Sequence, residues 1–365
     1  MKQISATFIS SLAFAIQSRA KILSATETLA IGAAGGLSAL WLNLPGGLIT
    51  GAMIATGIAA IAGRPLAVPP IVTQGVLVVL GISLGSVVSR QLIQHVSAYP
   101  VTIFLLALAT FFSTFGSSLY LQRVHGWDRT SAFLAGSPGA LSQITVLAVE
   151  RGADLPAIAV VQTMRVIILT AALPLLLAAT GVAPASSPVV ALTAASSFGL
   201  VALIASALAV ALLLRLVKFP ASWMFGAMIA SSVLHGIGLV DGGVPPWVRA
   251  VALVGVGSLI GSRFARMRPK VLLGHIHAAL GSFAIAIAIS GLFVAVIALT
   301  TQVRLSDIAV AFAPGAMDAM LALALTLHID PIFVGAHHLS RFVYVTIATP
   351  GIVHLFGRPQ DDVDD

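Results

Sequence analysis

Long apolar stretches, separated by short interruptions of polar residues, glycine and proline, fill almost the whole chain. A first set lies at about 26–43, 45–62, 70–89, 99–121, 130–149 and 156–179. A second lies at about 190–215, 221–238, 246–262, 273–300, 306–327 and 332–356. Most approach the roughly 20 residues that carry an α-helix across the hydrocarbon core of a bilayer. The apolar-polar alternation of a membrane-spanning β-strand is absent, which argues against a barrel. The pattern predicts an all-α polytopic membrane protein.

The two sets share landmarks. Gly51-Ala52-Met53-Ile54-Ala55 recurs as Gly226-Ala227-Met228-Ile229-Ala230, and Val68-Pro69-Pro70 as Val244-Pro245-Pro246. Gly85-Ser86 returns as Gly261-Ser262, and Pro138-Gly139-Ala140 as Pro314-Gly315-Ala316. Asp154, Arg165 and Pro174 find their counterparts in Asp330, Arg341 and Pro350. One offset of 176 fits every pair from Val68 onward, and 175 fits the earlier motif. A constant register over half a chain predicts a duplication, the sequence sign of a transporter-like architecture.

Composition agrees with a lipid environment. Hydrophobic residues make up 58% and charged residues only 8%, against about 25% charged in soluble domains. The 33 glycines and 18 prolines suit membrane helices, where close backbone approach and broken helices have uses. Cysteine is absent, so disulfides, thiolate metal sites and cysteine nucleophiles are excluded. The net charge of +7 comes from basic residues at the ends of apolar runs. That is positive-inside patterning; no basic patch interleaved with aromatics suggests a nucleic-acid partner.

The same charges set a topology. With Lys2, Arg19 and Lys21 cytoplasmic, Arg64, Arg123 and Arg129 also fall inside. The basic groups Arg215/Lys218 and Arg263/Arg266/Arg268/Lys270 must then be cytoplasmic too, which demands an odd number of crossings before the loop at 180–189. One of the first six segments therefore dips in and returns. The best candidate is 130–153, which carries Gly136-Ser137-Pro138-Gly139 and ends in Glu150-Arg151.

The predicted architecture is two inverted-topology repeats, each of about five transmembrane helices plus a Pro-Gly-broken re-entrant or discontinuous segment. Twelve full crossings are the alternative. Residues 1–24 are expected as a cytoplasmic or interfacial lead, with 5–18 a short interfacial helix or disordered stretch rather than a cleaved signal. The first repeat covers 25–180, the second 190–357, and 358–365 form a polar cytoplasmic tail.

Candidate chemistry concentrates at the breaks. Proline removes an amide donor and glycine lets the backbone approach a ligand, so Ser137-Pro138-Gly139 and Ala313-Pro314-Gly315 read as the tips of two opposed elements. A helix that restarts after each break points free N–H groups at whatever sits there. Packing kinks are the plainer reading. Ser142 and Gln143 follow the first break and Asp318 follows the second. A carboxylate at that depth needs a partner or water, so Asp318 is a candidate for coupling to H+ or Na+, or a helix cap.

Arg165 and Arg341 lie about ten residues inside their segments. They could present guanidinium forks to an anion or pair with Asp154 or Glu150, and with Asp330 or Asp318. Gln162 shares a helical face with Arg165, and its counterpart is His338, beside His337. These two neighbouring histidines face different sides of a helix. With His328 they suggest a polar lining or relay more than a metal site.

These residues resemble a known family. Leu44-Pro45-Gly46-Gly47 with Gly51-Ala52-Met53, Gly136-Ser137-Pro138-Gly139-Ala140-Leu141-Ser142 and Val161-Gln162-Thr163-Met164-Arg165 are similar to motifs of the AbrB-like bacterial membrane proteins. So are their echoes Gly226-Ala227-Met228, Ala313-Pro314-Gly315-Ala316-Met317-Asp318 and His337-His338-Leu339-Ser340-Arg341. The resemblance spans about 25–357 and implies a duplicated membrane domain in the bacterial inner membrane. It also brings two ascribed roles, ammonia monooxygenase and regulation of gene expression.

An oxygenase would need a metal-ligand constellation, and a transcription factor a soluble DNA-binding module; the sequence displays neither. The expected function is an ion-coupled secondary transporter of a small solute, with an anion as the expected class. No resident cofactor, metal or catalytic residue is expected, and a homodimer is an open arrangement. A membrane-embedded regulator or sensor is the alternative, and a monooxygenase-like enzyme the remote one.

Overall fold

The computed structural model describes residues 2–87, 99–138, 141–181 and 194–356. Among them fourteen α-helices follow one another. The first half runs α1 (Lys2–Trp41), α2 (Gly47–Ile61), α3 (Pro70–Gly85), α4 (Tyr99–His125), two short helices α5 (Arg129–Gly136) and α6 (Leu141–Glu150), and α7 (Leu155–Ala179). The second runs α8 (Ser197–Leu216), α9 (Ser222–Gly236), α10 (Pro246–Gly261) with a 3₁₀ turn at Ser262–Arg266, α11 (Pro269–Thr300), short helices α12 (Leu305–Phe312) and α13 (Met317–Thr326), and α14 (Pro331–Phe356). Six stretches, in α1, α4, α7, α8, α10 and α11, are long and apolar enough to cross a membrane. The chain is an all-α, multi-pass membrane protein.

Local sequence explains the helix ends. Proline opens α3, α10, α11 and α14, where its missing N–H would have had no intrahelical partner in any case. Asp154 caps α7 by accepting from the Ala157 amide at 3.0 Å, and Ser196 caps α8 through the Gly199 amide at 3.1 Å. Residues 5–18 are helical, one of the two forms expected. They are no separate element but the start of α1, because neither glycine nor proline interrupts the chain before Gly32.

Helix boundaries recur at the offsets found in the sequence. α3 and α10, α5 and α12, and α6 and α13 begin and end 176 residues apart; α2 and α9 do so at 175. The packing recurs as well. Gly81 and Gly85 on α3 lie against the carbonyl oxygens of Met224 and Met228 on α9. Gly257 and Gly261 on α10 lie in the same way against those of Ile49 and Met53 on α2. A methyl group at any of the four would collide with main chain, so glycine is what lets these backbones touch.

Large apolar side chains of α8 (Phe198, Val201, Leu212, Leu216) and α11 (Leu292, Leu299) are exposed on the outside, a lipid-facing surface. At the centre lies α13, in which every residue from Ala319 to Ala324 is fully buried. At 1.5 Å per residue its ten residues reach about 15 Å, half the roughly 30 Å hydrocarbon core. Broken backbone at membrane depth is stable where protein encloses it, and α3, α7, α10 and α14 pack around this helix.

Candidate functional site

Each break begins with a residue forced out of the helix by the proline after it. Ser137, before Pro138, has φ −68° and ψ 122°; Ala313, before Pro314, has φ −55° and ψ 127°. Both are extended, as crowding by the following proline ring requires. α5 and α12 therefore stop after eight residues each, leaving carbonyls without amide partners.

Long helices supply the missing donors. From α7, Gln162 Nε2 donates to Leu134 O at 3.0 Å and to Ser137 O at 3.2 Å. Arg165 Nη2 donates to Ala135 O at 2.8 Å and to Gly136 O at 3.3 Å. From α14, His338 Nε2 meets Val310 O at 3.0 Å, while Arg341 donates to Ala313 O at 2.8 Å and to Gly315 O at 3.4 Å. His338 Nδ1 in turn meets Arg341 Nη2. With a carbonyl at Nε2 and a guanidinium at Nδ1, the ring must carry its proton on Nε2 and accept at Nδ1. Both arginines thus cap the negative C-terminal end of a half-helix, an interaction of roughly 1–2 kcal/mol.

The carboxylate pairings considered for these arginines do not form. Asp154 caps α7, and Asp330 caps α14 through the Ile332 and Phe333 amides at 2.8 and 3.1 Å. Asp318, in the first turn of α13, makes no capping bond and faces Arg263 at 3.7 Å. Among the described residues neither Arg165 nor Arg341 has a salt bridge, although they are 2% and 4% exposed. Arg165 Nε is buried without a hydrogen-bond partner, and the two guanidinium charges lie within electrostatic reach of each other. Among the described residues, the arrangement leaves two buried guanidiniums held by backbone carbonyls and, for Arg341, by a neutral imidazole, with no carboxylate.

His337 is fully buried. Its Nδ1 meets Phe333 O at 2.7 Å and its Nε2 meets Thr102 Oγ1 at 2.8 Å. The histidines thus join separate backbone and side-chain bonds rather than converging on a point. Gly139 lies outside the described residues, as do the side chains of Ser142 and Gln143.

A cavity of about 600 Å³ leads to the first break. Thr110, Thr114, Ser118 and Gln122 line it from α4 at four-residue spacing, and Arg123 and Arg129 also line it. Ser137 and, from α14, Tyr344 and Thr349 complete the polar wall. The sequence reading missed this stripe. Its signal was the repeat of hydroxyl and amide residues at i, i+4 in an apolar helix, a spacing that aligns them on one face. The equivalent positions of α11 are Ala286, Ser290, Val294 and Ala298, so the polar face belongs to the first half.

The family described as transition state regulatory protein AbrB matches residues 48–357. This chain belongs to the AbrB family. The match takes in both breaks, both arginines and the α4 stripe. An uncharacterized protein of Bacillus subtilis (strain 168), YhjN, is 25% identical over 308 residues, covering 78% of this chain and 79% of the relative. No solved structure matches.

Proposed function

We propose that this AbrB-family protein is an ion-coupled secondary transporter of a small anion in the bacterial inner membrane. The observation that carries the reading is the cavity: a space of about 600 Å³, largely apolar but crossed by a stripe of hydroxyl and amide groups, that ends at a broken helix. That volume suits a small solute. Arg123 and Arg129 favour negative charge, and the buried guanidiniums of Arg165 and Arg341, held by carbonyls and without a carboxylate partner among the described residues, favour it further.

Matching helix boundaries, crossed glycine contacts and paired breaks support a two-repeat architecture, and the placement of the basic residues supports its inverted orientation. Such repeats transport by moving one part against another around a central site. Nothing in the reading calls for bond-making chemistry, so the protein acts as a carrier and not as an enzyme. Uptake of labelled small carboxylates and inorganic anions into proteoliposomes tests it. Flux above that of protein-free vesicles supports the proposal, and none across the screen overturns it.

The family's description favours a second reading, a membrane-embedded regulator. There the same cavity would bind its ligand without carrying it across, so binding without flux is the distinguishing result.

A further inference from the structure

The N-termini of α12 and α14 and the first turn of α4 meet at a second polar cluster. Asp307 and Asp330 are 5% and 6% exposed, and Asp307 Oδ1 accepts the Asp330 amide at 3.4 Å. Arg304 Nε bonds Asp307 Oδ2 at 2.9 Å from a half-exposed position. Two buried carboxylates thus face one cation, an excess of one negative charge. Tyr99, 7% exposed, brings its Oη into the protein without a hydrogen-bond partner among the described residues, within electrostatic reach of both carboxylates.

Comparison with the first half shows that the bond to the amide does not need this charge. Ser131 stands where Asp307 stands, and its Oγ accepts the Asp154 amide at 2.9 Å. A neutral hydroxyl does the structural job at a better distance. Arg304 pairs with Asp307 and two amides meet Asp330, yet two buried carboxylates share one cation, so the remaining negative charge calls for a further partner.

We propose that Asp307, Asp330 and the Tyr99 phenol form the binding site of one monovalent cation, Na+ or a proton, that serves as the coupling ion. The coupling role rests on the transport reading above; the binding does not. Asp307 lies in the first turn of α12, and the break held by Arg341 follows the other end of that eight-residue helix. Neutralising the carboxylates therefore acts on the element that forms the second break. From α14, His337 packs its ring 5.9 Å from that of Tyr99 and also contacts Phe312, the last residue of α12.

The test uses the purified full chain in detergent. Thermal unfolding is followed in NaCl against choline chloride at constant ionic strength, and across pH in choline chloride. A sodium site predicts a saturable rise in Tm, on the order of 5 °C at about 100 times Kd. A proton site predicts no sodium effect and a Tm that rises as pH falls, because the folded site then binds the proton more tightly than the unfolded chain does.

Asp307→Ser keeps the bond that Ser131 makes, and Asp330→Asn keeps the helix cap; each should fold and lose the response. The other charged or titratable groups here are Arg304 before α12, Tyr99 on α4, His337 on α14 and the exposed His328 in the preceding loop. A response due to His328 would survive Asp307→Ser, so the variants isolate the pair. A wild type insensitive to both ions, or variants that respond as it does, overturns the proposal. Flux with no dependence on Na+ or pH defeats the coupling role alone, and cation binding without flux defeats the transport reading alone.

Discussion

Gln162 and His338 make the same bond in the two halves: each places a side-chain nitrogen 3.0 Å from the carbonyl oxygen of the residue 28 positions earlier, Leu134 and Val310. An amide and an imidazole thus fill one role, donating to a carbonyl that a broken helix leaves open. His338 adds an acceptor for Arg341.

Substitution at His338 follows from that equivalence. His338→Gln should retain a donor to Val310 O and melt within a few degrees of the wild type. His338→Leu leaves the buried carbonyl unpaired, at a cost of about 1–3 kcal/mol, and should melt clearly lower. Thermal unfolding in detergent reads both; equal melting of the two variants would remove the capping role from His338.

The crossed glycine contacts make a second prediction. Gly81→Ala and Gly257→Ala each press a methyl group onto main-chain carbonyl, which cannot rotate away, and should destabilise by roughly 1–3 kcal/mol. Gly274→Ala in α11, with open space around it, should not destabilise, since alanine is the better helix former. If all three behave alike in thermal unfolding, close backbone packing is not what these glycines provide.

Topology is open to direct reading. Reporter fusions after Arg151 and after Arg268 should report a cytoplasmic location, while one inserted at 182–188 should report the outside. A cytoplasmic signal from that last position would defeat the inverted arrangement.

Much of the candidate site was legible before the structure. Proline and glycine inside an apolar run mark a break from sequence alone, and a constant offset singled out Arg165, Arg341, Gln162 and His338 as a set. The direction of each guanidinium was not legible. Whether an arginine meets a carboxylate or a carbonyl depends on which helix end the fold brings beside it. The α4 stripe was hidden for another reason. Serine and threonine satisfy themselves in membrane helices by bonding the preceding turn, as Ser113 does to Ala109 O at 2.6 Å, so hydroxyls there carry little signal. Asp307 was passed over because it sits at a segment edge, where a charged residue usually meets water.

Transport through the α4–α5–α14 cavity is the central claim, and uptake of a small anion by proteoliposomes tests it most directly. Thr114→Leu adds apolar bulk to the polar stripe at a buried position beside Gly136, whose carbonyl Arg165 caps, so its Tm is read alongside uptake and the comparison uses variant protein that melts within a few degrees of the wild type. The account predicts anion uptake by the wild type, well above protein-free vesicles, and at least a tenfold loss in Thr114→Leu. Wild-type uptake that Thr114→Leu leaves unchanged, or no uptake at all by folded wild-type protein, would contradict it.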